Sequence, residues 1–201
     1  TPVLHSTVQY VEFNPRWTVP KTILEKDIFP RMLRGSNIVK KKNLVMYDFR
    51  GNAVDPLAVD WSRFSTAKRF PYLLSQDPGA GNALGRIKFV FPNEHGIYLH
   101  DTPSKYLFAK QDRAFSSGCV RVERPFDLAV ALLDDPAWTG EDVRKAAQAG
   151  VTRRVPLHSP VPISLTYWTA TVDEAGRLIW YGDVYGNDQL VLSALRNAEE
   201  P

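Results

Sequence analysis

One cysteine and one histidine of this sequence are suited to act as a nucleophile and its base. Cys119 is the single cysteine of the chain, and it follows the turn-forming run Ser116-Ser117-Gly118. His100 lies nineteen positions earlier, at the end of the apolar run GIYLH. A thiol needs a neighbouring base or positive charge to ionise substantially at neutral pH, and an imidazole commonly supplies it. The pair therefore predicts covalent catalysis by a thiolate.

The glycine before the cysteine predicts a second feature of such a site. Glycine lets the backbone bend so that successive amides point at one spot. The amides of Ser117, Gly118 and Cys119 are then expected to form an oxyanion hole for a tetrahedral intermediate. The alternative is that Gly118-Cys119 is a small buried pair after a turn, since free cysteine is among the most buried residue types. With one cysteine, an internal disulfide and a cysteine-rich zinc site are both excluded.

The elements around this pair predict an α+β fold built on a largely antiparallel sheet. Apolar and β-branched runs predict strands, and proline-initiated or amphipathic stretches predict helices after the cysteine. Residues 173–176, DEAG, have the composition of a hairpin turn. The predicted strands are 3–13, 84–91, 96–100, 163–172 and 177–181, and the predicted helices are 125–134, 141–149 and 187–197.

Residues 20–75 differ in character from the chain on either side. Residues 20–34 predict a helix that is interrupted at Pro30, because an interior proline removes a backbone donor and clashes with the preceding turn. A lysine run at 40–42, a strand over 43–49 and a turn at 50–52 follow. We therefore predict an inserted subdomain over 20–75, with the lysine run on its solvated face.

Composition restricts the class of protein. The chain has 201 residues, of which 44% are hydrophobic and 23% charged, as in one globular domain with room for an insertion. No apolar run approaches the roughly eighteen residues that a membrane span requires. The formal charge is only +3, and the lysine run has no interleaved aromatic residues. Nucleic acid is therefore a poor candidate partner, whereas an anionic polymer stays open. The start of the chain lacks a signal peptide and an initiator Met, so we expect a processed or truncated fragment.

The catalytic stretch resembles a known family. The runs HGIYLHDTPSKYLF and RAFSSGCVRVE are similar to L,D-transpeptidases with the YkuD-type catalytic domain, whose signature is a histidine followed later by Ser/Thr-His-Gly-Cys-x-Arg. The segments FNPRWTVP, GAGNALGRIKFVFPN and PVPISLTYWTATVDEAGRL resemble the larger Gram-negative branch typified by YcbB. Ser117 stands where the family usually has the second histidine, which is not its general base. The resemblance covers nearly all of 1–201 and places Thr1 after the first strand or strands of the catalytic domain.

The resemblance implies a fold and a reaction. The fold is a YkuD-type, β-sandwich-like core with residues 20–75 as a capping subdomain. Cys119 is expected to attack a donor tetrapeptide stem of peptidoglycan at the L-centre of diaminopimelate, expelling the terminal D-alanine. The amine of a second diaminopimelate then attacks the thioester and forms a 3-3 cross-link. His100 is expected to act as the base, oriented by the backbone carbonyl of Asp101.

The resemblance also implies binding residues and partners. Arg121 matches the arginine of the motif and is expected to anchor the loop or a substrate carboxylate. Tyr98 and Trp17 match aromatic positions near the active-site entrance, although both residue types also serve as packing residues. Carbapenems are expected inhibitors, no metal or organic cofactor is implied, and the periplasm of a Gram-negative bacterium is the expected location.

Two other functions stay open on the sequence. One is a related enzyme that hydrolyses the bond, or that attaches or releases a lipoprotein. The other is a non-catalytic module that binds peptidoglycan, against which the Cys119 and His100 pair argues.

Overall fold

The structure is a computed structural model that describes residues 1–199. Two compact units make up the chain: Thr1 with Ser6–Ile163, and Pro2–His5 with the residues from Ser164 onward. The strands are β1 Leu4–Phe13, β2 Trp17–Thr18, β3 Val45–Tyr47, β4 Ala53–Val54, β5 Leu73–Gln76, β6 Ile87–Val90, β7 Leu99–His100, β8 Val120–Arg121, β9 Arg153–Leu165, β10 Ala170–Val172 and β11 Leu178–Trp180. The α-helices are α1 Lys21–Ile23, α2 Phe29–Leu33, α3 Ile38–Lys41, α4 Pro125–Leu133, α5 Gly140–Gln148 and α6 Asp188–Glu199.

A five-stranded sheet positions the candidate site. Its order is β8-β7-β6-β1-β9, with antiparallel pairing of β1 with β6 and of β6 with β7, and parallel pairing of β7 with β8. In β6 the apolar residues Ile87 and Phe89 are fully buried while Lys88 is half-buried, as period-two alternation requires. Helix α4 packs on β6 and on α5. This mixture of an antiparallel-rich sheet and helices confirms the predicted α+β class.

Helix α5 begins where its sequence provides a cap. Thr139 Oγ1 accepts the N–H of Asp142 (3.3 Å), and Asp142 Oδ2 accepts the N–H of Thr139 (3.2 Å), so the two residues form a capping box. The aromatic ring of Trp138, directly before the cap, stacks on Phe13 of β1 with centroids 5.4 Å apart. The start of α5 is thereby fixed to the sheet.

Most of the predicted insertion builds a second sheet with its own core. The order of this four-stranded sheet is β2-β5-β3-β4. Buried apolar side chains from α2, α3 and the sheet pack together, among them Phe29, Met32, Ile38, Met46 and Leu74. The β3–β4 hairpin closes at Asp48, whose Oδ1 accepts the amides of Arg50 and Asn52. A capping function for residues 20–75 stays a prediction.

The interruption predicted at Pro30 is wrong. Helical structure continues from α1 through a π-helix at Leu24–Ile28 into α2. Pro30 lies in the first turn of α2, and the Phe29 N–H donates to Leu24 O, five residues back. The wider π turn relieves the contact of the proline ring with the preceding turn, so the chain keeps its helical course. The strand predicted over 43–49 is also shorter, since β3 spans Val45–Tyr47.

The prediction of one strand over 163–172 is wrong too. Strand β9 ends at Leu165 and β10 begins at Ala170. β9 also extends back to Arg153 through three prolines, which the sequence reasoning did not assign to a strand. β9 lies at the end of the strand order, and edge strands tolerate proline because one side of the backbone needs no partner.

The second unit contains the predicted hairpin and the last helix. β10 and β11 pair antiparallel, with Ala170 opposite Trp180. Asp173 Oδ1 accepts the amides of Ala175 and Arg177, which fixes the turn. Across residues 1–199, no helix is long and apolar enough to cross a membrane.

Candidate active site

Two short neighbouring strands carry the predicted base and nucleophile. The parallel pairing of β7 and β8 sets His100 opposite Arg121, and Val122 N donates to His100 O (2.8 Å). Cys119 precedes β8 by one position and therefore aligns with Tyr98. Aligned residues of neighbouring strands, and alternate residues of one strand, share a face of the sheet. The register thus places His100 and Tyr98 on the same face as Cys119 and Arg121.

His100 is buried and held in one tautomer. Its Nδ1–H donates to the carbonyl oxygen of Asp101, so Nε2 is the ring nitrogen that can accept a proton. Burial lowers the pKa of His100 to about 4, and the positive charges of Arg121 and Lys88 add to that effect. The carbonyl and the charge of Asp101 oppose it. The imidazole is therefore neutral at pH 7, which is the state that a general base requires.

The Cys119 sulfur lies against two residues of the preceding segment, Gly96 and Tyr98. Sγ is 3.9 Å from the carbonyl oxygen of Gly96, and the Tyr98 hydroxyl faces the sulfur. Burial first, and then the charge and hydrogen bonding of Cys119, raise the pKa of Tyr98 above its ordinary value. The Tyr98 ring is also edge-on to His100, with centroids 5.8 Å apart. In the described part of the chain no hydrogen bond joins Cys119 to His100, so proton transfer between them requires a rotation of the thiol.

The turn before Cys119 is braced by a serine. Ser116 Oγ donates to Cys119 O (2.7 Å) and accepts the N–H of Gly118 (3.2 Å). Gly118 has a φ of +148°, a conformation that favours glycine. Since the Gly118 amide is occupied, it is not available as one of the three predicted oxyanion donors. The amides of Ser117 and Cys119 donate to no group within residues 1–199 and keep that predicted role.

Comparison with known proteins assigns the family. Residues 1–149 match the family model of the YkuD L,D-transpeptidase catalytic domain. The chain belongs to this family. It is also 38% identical over 191 residues to a Haemophilus influenzae protein provisionally named an L,D-transpeptidase, a match that covers 95% of this chain and 38% of that protein. The chain thus spans well under half the length of this relative. The predicted family is confirmed, while the YcbB-like branch stays a prediction.

Membership of the YkuD family makes the chain a transferase-type catalytic domain. Two other residues predicted for its site are Arg121 and Trp17. Arg121 is half-buried, and its Nη1 is buried with no hydrogen-bond partner among the described residues. A buried donor without a partner is costly, and the predicted role of Arg121 in anchoring the loop or a carboxylate stays a prediction. Trp17 lies in β2, pairs with Gln76 and packs against the second core. Its position accounts for a packing role, and its binding role stays a prediction.

Sequence reasoning missed two residues of this YkuD site. Lys88 on β6 holds its ammonium 4.3 Å from the centre of the Tyr98 ring. Lys88 is a charged residue between the apolar Ile87 and Phe89 of a predicted strand. This alternation is the sequence signal that could have drawn attention to Lys88. The sequence predicts a turn over Ser116-Ser117-Gly118 without a role for the Ser116 side chain, which makes two of the turn's hydrogen bonds. Serine two residues before a glycine amide is a common turn-closing arrangement, so this role was open to prediction.

Proposed function

We propose that this chain is a peptidoglycan L,D-transpeptidase that forms 3-3 cross-links through a thioester on Cys119. The observation that carries the proposal is the register of β7 and β8, which sets Cys119 opposite Tyr98 on the sheet face that also carries His100, a neutral imidazole whose Nε2 is left as the acceptor. Family membership supplies the reaction class. The substrate and the linkage are inferred from that class.

In the first half-reaction Cys119 is acylated. Sγ forms a bond to the carbonyl carbon at the L-centre of diaminopimelate in the donor stem, and the amide bond to the terminal D-alanine breaks. The thiol proton passes to His100 Nε2 and then to the nitrogen of the departing D-alanine, so the imidazole returns to its neutral state. The thiol must first turn from Gly96 toward the ring.

In the second half-reaction the thioester is consumed. The side-chain amine of diaminopimelate in a second stem attacks the thioester carbon, forms an amide and releases Sγ. His100 takes a proton from the attacking amine and returns one to the sulfur. The cross-link then joins two diaminopimelate residues, and the enzyme regains its starting state.

Other groups in the site suit the charges of this reaction. The amides of Ser117 and Cys119 are suited to the oxyanion that develops in both half-reactions. The unpartnered Nη1 of Arg121 suits a carboxylate of the stem peptide. Tyr98, beside the sulfur, is placed to contact the substrate at the reacting centre.

Exposed lysines in residues 20–75 fit an acidic polymer as substrate. Lys40, Lys41 and Lys42 are exposed at the end of α3, where Ile38 and Val39 are buried, and the lysines form no ion pair within the described residues. Stem peptides carry several carboxylates, so these free cations favour their approach.

We propose the periplasm as the location and residues 20–75 as a lid over bound peptide.

Purified tetrapeptide muropeptides test this function. Incubation with the protein should give cross-linked dimers that have lost one D-alanine, as resolved by mass spectrometry, and Cys119→Ala should give none. Tripeptides without dimers, in the presence of acceptor, would make the protein a hydrolase and contradict the proposal. Unchanged tetrapeptide in the presence of reactive Cys119 would contradict the proposed substrate.

A further inference from the structure

A lysine outside the family motif joins the strand of the base to the strand of the nucleophile. The ammonium of Lys105 lies 2.8 Å from Asp101 Oδ1 and donates to the carbonyl oxygens of Val122 (3.1 Å) and Glu123 (2.8 Å). Asp101 directly follows β7, and Val122 directly follows β8. The two carbonyls accept two of the three N–H donors of the ammonium, and the contact with Asp101 Oδ1 is an ion pair.

The Asp101 end of this contact is fixed to the sheet. Asp101 N donates to Ile87 O (2.8 Å), and its buried Oδ2 accepts the N–H of Arg86 (2.9 Å). A Cβ at Gly85 would lie 2.3 Å from that Oδ2, so the carboxylate occupies space that only glycine leaves open. The same residue presents its carbonyl oxygen to His100 Nδ1. The orientation of the imidazole therefore depends on the position of Asp101.

The nucleophile's end needs support, because β8 is short and lies at the edge of the sheet. It spans two residues, and its backbone bonds to β7 include Val120 N to Tyr98 O (3.1 Å) and Val122 N to His100 O (2.8 Å). A few hydrogen bonds hold so short an edge strand weakly, since each contributes only about 1 kcal/mol net. The two carbonyls that Lys105 binds add polar contacts at this junction.

We propose that Lys105 is a positioning residue that sets the spacing between Cys119 and the Nε2 of His100. The description of that spacing as catalytic rests on the proposed function. Loss of the ammonium leaves the Asp101 carboxylate without its ion pair and frees the chain after β8. Both changes move the base and the nucleophile relative to each other while the apolar core stays in place.

The reactivity of Cys119 toward iodoacetamide tests the spacing without reference to any substrate. Because the chain has a single cysteine, one adduct in intact-protein mass spectrometry reports Cys119 alone. The rate is compared in wild type, Lys105→Met and the control Lys110→Met, and again with His100→Ala added to each. Lys110 is exposed and its side chain forms no ion pair in the part of the chain described, so its substitution should leave the rate unchanged.

Lys105→Met should slow alkylation about tenfold when His100 is present, since misplacement of a reacting group by a fraction of an ångström costs rates of this order. In the His100→Ala background the same substitution should change the rate less than about twofold, because the two residues act through one another. Lys105→Arg, which keeps a cation with several donors, should recover most of the loss. If Lys105→Met does not fold, Lys105→Gln enters the same cycle.

Equal losses in both backgrounds would overturn the proposal, as they would show a general structural role. A Lys105→Met protein with the wild-type alkylation rate would overturn it as well. These results are distinct from a failure of the proposed function, in which Cys119 alkylates normally but muropeptides are not cross-linked.

Discussion

The carbonyl oxygen of Asp101 accepts the Nδ1–H of His100, and this contact leaves Nε2 as the ring nitrogen that can accept a proton. An imidazole bound in this way offers Nε2 as its basic atom. Since burial holds the ring neutral at pH 7, the base is available without any change in its protonation. The base is therefore oriented by the backbone carbonyl of the next residue. No carboxylate side chain is needed as a third catalytic residue.

Substitution of the base should abolish most turnover. We expect His100→Gln to lower kcat for cross-linking by about a hundredfold to ten-thousandfold, the usual worth of general-base assistance. Steady-state rates of D-alanine release from tetrapeptide provide the measurement, and circular dichroism establishes that the variant is folded. Near-normal rates in a folded His100→Gln protein would mean that another group takes the thiol proton.

The stability of the protein should depend on pH through the same residue. The pKa of His100 is about 4 in the folded protein against an ordinary value of 6.5. Between these values the unfolded chain binds a proton on His100 that the folded protein does not. Stability is therefore lost as pH falls from 6.5 toward 4, by about 3 kcal/mol over the full window, and the loss from this group levels off below it.

Urea unfolding across this pH range measures the effect. His100→Gln removes the titrating group, so its unfolding free energy should fall less steeply with acidification than that of wild type. All other titratable groups are common to the two proteins. Parallel curves would show that burial does not suppress protonation of His100.

Carbapenems should acylate Cys119. Sγ attacks the β-lactam carbonyl, the ring C–N bond breaks and the nitrogen takes up the thiol proton, so the adduct has the mass of the protein plus the whole inhibitor. No acceptor amine is positioned to attack the product, which should make the adduct long-lived. Intact-protein mass spectrometry and peptide mapping locate it. A modification on Ser116 or Ser117, retained in Cys119→Ala, would contradict the cysteine mechanism.

Residues 20–75 should behave as a lid. Their separate core allows this segment to move as a unit, and lids are drawn from the less stable parts of a fold. Amides of β3 and β5 should exchange with solvent faster than those of β6, and should become protected when a carbapenem acylates the enzyme. Equal protection of the two sheets before and after acylation would show that residues 20–75 are a static part of the domain, which would contradict the prediction.

The sequence supports the prediction of those elements whose pattern is local. Alternation at Ile87 and Phe89 predicts β6, Asp173 in DEAG predicts the β10–β11 turn, and both structures are present. β9 was missed because its prolines lower strand propensity, and only its edge position makes them tolerable. The helical course past Pro30 was missed because a π turn has no distinctive local pattern.

Some features of the candidate site are predictable from local sequence, and others are not. Cys119 and His100 are identifiable from their types, their neighbours and a family motif. The position of Tyr98 against the sulfur follows from the β7–β8 register, which no local pattern encodes. The use of the Gly118 amide by Ser116 follows a common turn pattern, whereas the three contacts of Lys105 depend on side-chain geometry and required coordinates.

The central claim is that a thioester forms between Cys119 and the donor stem. Its most direct test is rapid acid quenching of the protein with purified tetrapeptide in the absence of acceptor, followed by intact-protein mass spectrometry and peptide mapping. The account predicts one adduct, equal in mass to the tetrapeptide less D-alanine, carried by Cys119, absent from Cys119→Ala and removed by hydroxylamine. A folded protein that releases D-alanine with no adduct on Cys119, or with the acyl group on a serine, would contradict it.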